Sequence, residues 1–499
     1  MTSVIGSSLS NLTATLVALV SGFLVSVIAS RLLGPTGAGA VAYAVWIAVC
    51  ASAIADRGFP QMLLRHVAFL QDKGEARYQQ IINSAFLSFL PAVCVVFLGF
   101  TGYALTLWSD DRQASLLWLA TGLLFASYAF AALSIAIARG KGRFRETALL
   151  TATGSALQVP VVLLGAVVAG PVGVVLGMLT RYLPQGLALS RHLQRPFRAV
   201  PGAVTPDMKA YQRSVWTTDV IDVVLLARIE YVVIGFYLGH ADLGYFAAAI
   251  AFAGLVTQLT LQLSPVFLVG LSKISAADGT ALPQQLYRNG FRLTALVVFP
   301  LGLGGAGIIS VFLPLVFGQD FQPAAAPAVL FLLASVPGGL AVVPWSYLAA
   351  QARAGLLLRL TLLYAAGLFT ALALVVPVAG LLGAAAVRLV SELVFFLLLG
   401  AAVTRSGGPA VPWTDLLRIF LAAGLCGISA FAVTSAMPSL AGVVIGLVAG
   451  AAGFLLGIRL LSVATPDDAM RVERLVIRHA PSRLREPVLR AARLVLGAT

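Results

Sequence analysis

The chain has 499 residues, of which 60% are hydrophobic and only 10% charged, with a formal net charge of +14. Soluble domains average about 25% charge, so the solvent for most of this apolar surface must be lipid, and a soluble globular enzyme is excluded. With no soluble basic domain in the pattern, the positive balance reads as topology and attraction to anionic lipid, and nucleic acid is not an expected partner.

Fourteen apolar runs approach the bilayer length of about 20 residues. They lie at 9–33, 37–57, 81–107, 115–138, 147–169, 172–190, 215–238, 242–270, 291–317, 325–350, 356–378, 381–403, 414–437 and 440–463. The expected fold class is therefore an all-α integral membrane protein. The first run has no basic stretch before it and no cleavage site, so it is expected to stay as an uncleaved anchor. Lys and Arg concentrate in every second connection, as in Arg57, Arg65, Lys73 and Arg77, then Arg139, Lys141, Arg143 and Arg145. Positive loops remain in the cytoplasm, which places both termini there and the short connections 34–36, 108–114, 170–171, 239–241, 318–324, 379–380 and 438–439 outside. Three inner stretches, 59–80, 272–290 and the basic tail 464–499, are expected to form amphipathic surface helices.

The sequence also repeats. Leu33-Gly34, Gly39, Ala42 and Ala44 recur as Leu238-Gly239, Gly244, Ala247 and Ala249, an offset of 205, and Ala169-Gly170 and Gly173 recur as Ala379-Gly380 and Gly383, an offset of 210. A six-span unit used twice accounts for both. The expected organisation is a first lobe at 1–190, a cytoplasmic linker at 191–214, a second lobe at 215–404, two appended spans at 405–463 and the tail. Both units start inside, and parallel repeats of this kind are a transporter architecture with the substrate site between the halves.

An ionised group in hydrocarbon costs at least about 2.5–3.5 kcal/mol on insertion scales, so each intramembrane charge needs a reason. Asp219, Asp222 and Glu230 of the seventh span fall within about 80° of one another on a continuous helix. They are candidates for binding a coupling cation, or for ordinary headgroup-level and ion-paired carboxylates. Arg388 and Glu392 on the twelfth span are spaced for an i,i+4 ion pair, and Glu392 joins the candidate coupling groups. Arg181 on the sixth span matches Arg388 in the repeat, and Arg31 lies near the outer end of the first. A guanidinium stays charged in low dielectric and binds two oxygens of a phosphate. Arg31, Arg181 and Arg388, with Gln158, Gln258 and Gln262 as neutral polar lining, therefore suggest an anionic substrate, unless the arginines only cancel Glu230 and Glu392. The sequence has no GxxxxGK[ST] phosphate cradle, no HExxH, no Cys/His cluster and no GxSxG. Cys50, Cys94 and Cys426 sit in apolar runs and read as packing residues. An enzyme is not expected, nor any cofactor beyond a coupling proton or sodium ion.

Arg31-Leu32-Leu33-Gly34-Pro35 followed by Gly37, Gly39 and Tyr43 resembles the first-loop signature of the polysaccharide transporter (O-antigen flippase, Wzx-like) family, in the multidrug/oligosaccharidyl-lipid/polysaccharide exporter superfamily. Asp222, Leu238-Gly239, Gly244-Tyr245, Ala248 and Pro265 resemble its seventh and eighth spans. Asp320-Phe321, Ala324-Ala325, Pro327 and Leu330 resemble the start of its tenth span, and Gly380 and Gly383 its twelfth. The resemblance implies two six-helix lobes in a V-shaped bundle that alternates between inward- and outward-open states in a bacterial inner membrane. It implies a flippase for an undecaprenyl-diphosphate-linked oligosaccharide, driven by a cation gradient or the membrane potential. Arg31 falls in the matching motif, whereas Arg181, Arg388 and Glu230 rest on the charge argument above. Membrane lipids and a polysaccharide polymerase or glycosyltransferase complex are the implied partners. Two alternatives remain: a cation-coupled exporter of small amphipathic or cationic compounds, and a lipid II flippase. Against the second, Leu33-Gly34 is followed by Pro35-Thr36 where lipid II flippases usually carry an Arg-Asp pair.

Overall fold

The computed structural model describes residues 2–70, 75–195, 198–261, 284–351, 353–463 and Glu486. Among them the regular structure is helical, in the order α1 (Thr2–Ala55), α2 (Phe59–Leu70), α3 (Glu75–Thr106), α4 (Arg112–Gly140), α5 (Phe144–Ala188), α6 (Pro206–Val220), α7 (Glu230–Tyr237) and α8 (His240–Leu261). After the undescribed residues 262–283 come α9 (Gln284–Phe299), α10 (Gly305–Phe317), α11 (Ala325–Ala350), α12 (Ala354–Arg405), α13 (Trp413–Ala436) and α14 (Leu440–Leu460). Most of the expected surface segment 272–290, and all of the tail 464–499 but Glu486, lie outside the described residues.

Ten of the described helical stretches are long and apolar enough to cross a membrane. Three of them, α1, α5 and α12, have 54, 45 and 52 residues, more than twice the bilayer requirement of about 20. Each bends at a glycine in the left-handed region: Gly34 at φ 65°, Gly170 at φ 56° and Gly380 at φ 58°. Glycine takes this conformation at little steric cost, and Pro35 and Pro171 then withhold the next backbone donor. The bends fall in three of the expected outer connections. Side chains such as Val378, 89% exposed, lie on the outer surface of such an arm, where only lipid can cover them.

The chain forms two compact units, Met1–Tyr245 and Phe246–Thr499. This division comes after the expected linker at 191–214, because α7 and the first turn of α8 pack on the second arm of α1. The linker itself is tied to α3 by side-chain bonds: Gln79 donates to the His192 carbonyl at 2.6 Å, and Asn83 to the Gln194 carbonyl at 2.9 Å. In the first unit the core combines Met62 and Val67 of α2 with Phe89 of α3, Phe125 of α4 and Val174 of α5. The apolar face of α2 is thus spent inside the protein, which the amphipathic pattern alone assigned to the headgroup plane.

In the second unit the two appended spans are tied to α9. Asp415, near the start of α13, accepts two hydrogen bonds from Arg288, one of them at 2.9 Å from Nη2, and lies 3.8 Å from Arg292. Arg292 also donates to the Val463 carbonyl at 2.9 Å, just beyond α14. One carboxylate therefore links α9 to α13, and its arginine partner reaches past the end of α14.

Candidate functional site

The seventh expected span is discontinuous. Thr205 caps α6 through its hydroxyl, and Pro206 opens the helix where no donor is needed. Residues Ile221–Leu226 widen into a π-helical turn, closed by Ala227 N–H donating to the Asp222 carbonyl at 2.7 Å. The regular helical bonding is then interrupted over residues 227–229, although Ala227 and Ile229 keep right-handed helical dihedrals, and it restarts at Glu230 as α7. Single π turns and helix breaks within a membrane concentrate where charged groups are handled. The break corrects the single-face argument, which assumed an unbroken helix from Asp219 to Glu230. Asp222 is exposed and Asp219 half-buried, whereas Glu230 is fully buried.

Glu230 sits at the start of α7 beside a stack of rings. The Arg228 guanidinium lies 5.9 Å from the Tyr231 ring, which stacks on Trp46 of α1 at 5.9 Å and 12°. Trp46 stacks in turn on Tyr43 at 5.7 Å and 29°, and Tyr43 meets His240 at 6.0 Å. Trp46 thus stacks with two rings of the protein, and among the described residues its buried indole N–H finds no hydrogen-bond partner.

Just outside the stack, repeat-equivalent residues meet within the first unit. A β-carbon on Gly39 would lie 1.7 Å from the His240 carbonyl oxygen, and one on Gly244 would lie 2.0 Å from that of Pro35. Position 39 matches 244, and 35 matches 240, at the repeat offset of 205. The contact is reciprocal, as in an isologous two-fold interface, and backbone meets backbone with room only for hydrogen.

At the C-terminal end of α1, Asp56 lies in the turn beyond the span. It accepts from Gly58 N–H at 2.8 Å, and Arg57 between them adopts φ 50°. Helix α6 packs on this turn, with Gln212 donating to the Arg57 carbonyl at 2.8 Å and the Trp216 indole to the Ala53 carbonyl at 3.0 Å. Burial pushes the Asp56 carboxyl up to about 6; the Gly58 N–H opposes this and the nearby Asp219 charge adds to it. Sequence reasoning passed over Asp56, although an Asp-x-Gly turn at a span end was a visible sign.

Arg181 is half-buried, its guanidinium 5.6 Å from the Tyr182 ring and Nη1 within 3.6 Å of where a Gly22 β-carbon would stand. Gln158 is buried, its Oε1 3.5 Å from the Ser21 hydroxyl, between α1 and α5. Arg31 and Gln258 are exposed, and Gln262 lies outside the described residues. In the second unit Arg388 and Glu392 do come together, Nε donating to Oε1 at 2.9 Å, and Tyr364 donates to the same oxygen at 3.0 Å. Tyr364 was missed because it stands 28 residues from Glu392 on the opposite arm of α12. Among the described residues, no group of three or more His, Cys, Asp or Glu side chains could hold a metal ion.

These features define a class: a multi-pass helical membrane protein with doubled arms and a broken charged span. Solved structures share the fold. A lipid II flippase, MurJ, in an inward closed conformation aligns over 91% of this chain and 98% of its own, at 13% identity and a TM-score of 0.70. An inward-facing multidrug resistance MATE family transporter aligns over 78% and 95%, at 13% identity and TM-score 0.55. A transporter from Pyrococcus furiosus, described as having a binding pocket of reverse polarity, covers 79% and 93% at 12% identity and TM-score 0.53. No curated protein sequence matches the chain. The chain belongs to the polysaccharide biosynthesis protein family, whose profile matches residues 28–326.

Proposed function

We propose that the protein is a flippase that moves a polyprenyl-diphosphate-linked oligosaccharide from the inner to the outer leaflet of a bacterial inner membrane, with both termini in the cytoplasm. The family match across residues 28–326 is the observation that carries the substrate class. The fold shared with transporters supports the mode of action. A sugar head carries many hydroxyls, each costly to strip of water without a replacement partner. Polar and cationic side chains supply those partners while the lipid tail stays in the bilayer. Arg181 and Arg388 are the proposed diphosphate contacts, joined by Arg31, Gln258 and Gln262; Gln158 acts from behind through Ser21. An inside-negative potential assists an anion moving outward, by about 2.3 kcal/mol per charge per 100 mV. Glu230, Asp219, Asp222 and Glu392 are the proposed coupling carboxylates, taking a proton or sodium ion. A polymerase or glycosyltransferase complex would supply and consume the repeat unit.

The test is complementation of a deletion strain. Arg181→Ala and Arg388→Ala are expected to insert normally yet leave repeat units on the inner leaflet and no surface polysaccharide. Normal polysaccharide in both would refute the assignment. The exposed Asp222 beside Asp219 favours a second reading, export of small cationic compounds. In that case Asp222→Asn, and not Arg388→Ala, would abolish efflux of a cationic dye.

A further inference from the structure

Resting on the flippase reading, we infer that Glu392 is a built-in competitor of the substrate's diphosphate, occupying Arg388 until the ligand displaces it. Three helical segments converge on this pair at matching depth. At about 1.5 Å per residue, Glu392 lies 12 residues, about 18 Å, below the bend at Gly380. Tyr364 is 10 residues, about 15 Å, from the inner start of α12 at Ala354, and Gly338 of α11 lies 13 residues from Ala325. All three sit near the middle of their helical arms.

The geometry at Glu392 is that of a held but replaceable anion. One oxygen, Oε1, receives both Arg388 Nε and the Tyr364 hydroxyl. The other, Oε2, lies 3.0 Å from where a β-carbon on Gly338 would stand, with Cδ at 3.2 Å. The carboxylate thus occupies a niche that exists because position 338 has no side chain. The pair is only 18% and 14% exposed at its side chains, so the charges are largely withdrawn from water. Glu392 meets Arg388 through Oε1 at Nε. A phosphate group can offer two oxygens to the planar fork, and a diphosphate carries more charge than a carboxylate. When such a ligand takes Arg388, Glu392 keeps Tyr364 as a donor, so its displacement does not strand it in hydrocarbon. The pair also explains how Arg388 persists in the bilayer without substrate, since an isolated charge there is expensive.

The experiment measures binding of inorganic diphosphate, and separately of geranylgeranyl diphosphate, to the purified full chain in lipid nanodiscs. Glu392→Gln retains size and the Tyr364 contact but removes the charge. It is expected to tighten both probes about tenfold, the scale of one charge-assisted hydrogen bond. Tyr364→Phe and Gly338→Ala loosen the carboxylate without removing it, and should tighten binding in the same direction by less. Should Glu392→Gln fail to fold, these two variants carry the test alone. A merely structural ion pair would give lower stability with unchanged or weaker binding, and that result overturns the inference. If Arg388→Ala still weakens binding in that case, the flippase reading survives alone. Wild-type protein that binds neither probe, or Arg388→Ala that binds as the wild type does, overturns both.

Discussion

Gly39→Ala tests whether the reciprocal contact between the second arm of α1 and the start of α8 must part during transport. The added β-carbon would stand 1.7 Å from the His240 carbonyl oxygen and 2.7 Å from Gly244 N, where real contacts essentially never fall below 3.0 Å. Relief requires about 1.3 Å of separation, and both obstructing atoms are backbone, so no rotamer change supplies it. Overpacking of a fitted contact costs about 1–3 kcal/mol. Borne by one state alone, this shifts its ratio to any open state by about 5- to 150-fold. The assay labels a cysteine at the neighbouring buried Ala38, in a background with Cys50, Cys94 and Cys426 replaced by serine, using a membrane-impermeant maleimide applied from outside. Ala38→Cys is expected to be unreactive alone and reactive with Gly39→Ala, and Gly244→Ala should do the same through the Pro35 carbonyl. Equal labelling with and without Gly39→Ala, together with unchanged export, would refute the reasoning.

Asp415→Asn should lower thermal stability in detergent by about 2 kcal/mol, below the full cost of breaking a buried pair because Arg288 is 48% exposed while Asp415 is 7%. Arg288→Gln should cost less than half of that, and equal losses in the two variants would contradict the role given to the buried partners. Asp56→Asn keeps the bond from Gly58 N–H and removes a carboxyl held up at about 6. A raised folded pKa makes the wild-type contribution fall as pH rises from about 4 to about 6. The variant should therefore match wild type at pH 4 and melt higher at pH 7.5, by at most about 3 kcal/mol; a gain at low pH instead would reverse the assignment.

Local chemistry made part of this molecule legible before any coordinates. The bends at Gly34, Gly170 and Gly380 follow from span length, glycine at a left-handed turn and, twice, the proline after it, all within a few neighbouring residues. The i,i+4 spacing placed Arg388 against Glu392 because helix geometry alone brings those positions together. The offset of 205 related Pro35 to His240 and Gly39 to Gly244. What no stretch of sequence contained was that these four residues touch one another. That needs two segments far apart in the chain to arrive at the same place. The break before Glu230 was hidden for a related reason. A helical wheel treats the segment as isolated, whereas Glu230 is buried and Tyr231 stacks on Trp46 of α1 just where the helix restarts. Tyr364 and Gly338, which hold Glu392, and Asp415, which ties α9 to α13, likewise acquire their roles only through partners on other helices. In lipid, apolar patterning sets which segments span, because every span shares the same solvent. The pairing of polar groups between spans depends on packing, and the tertiary fold alone decides it.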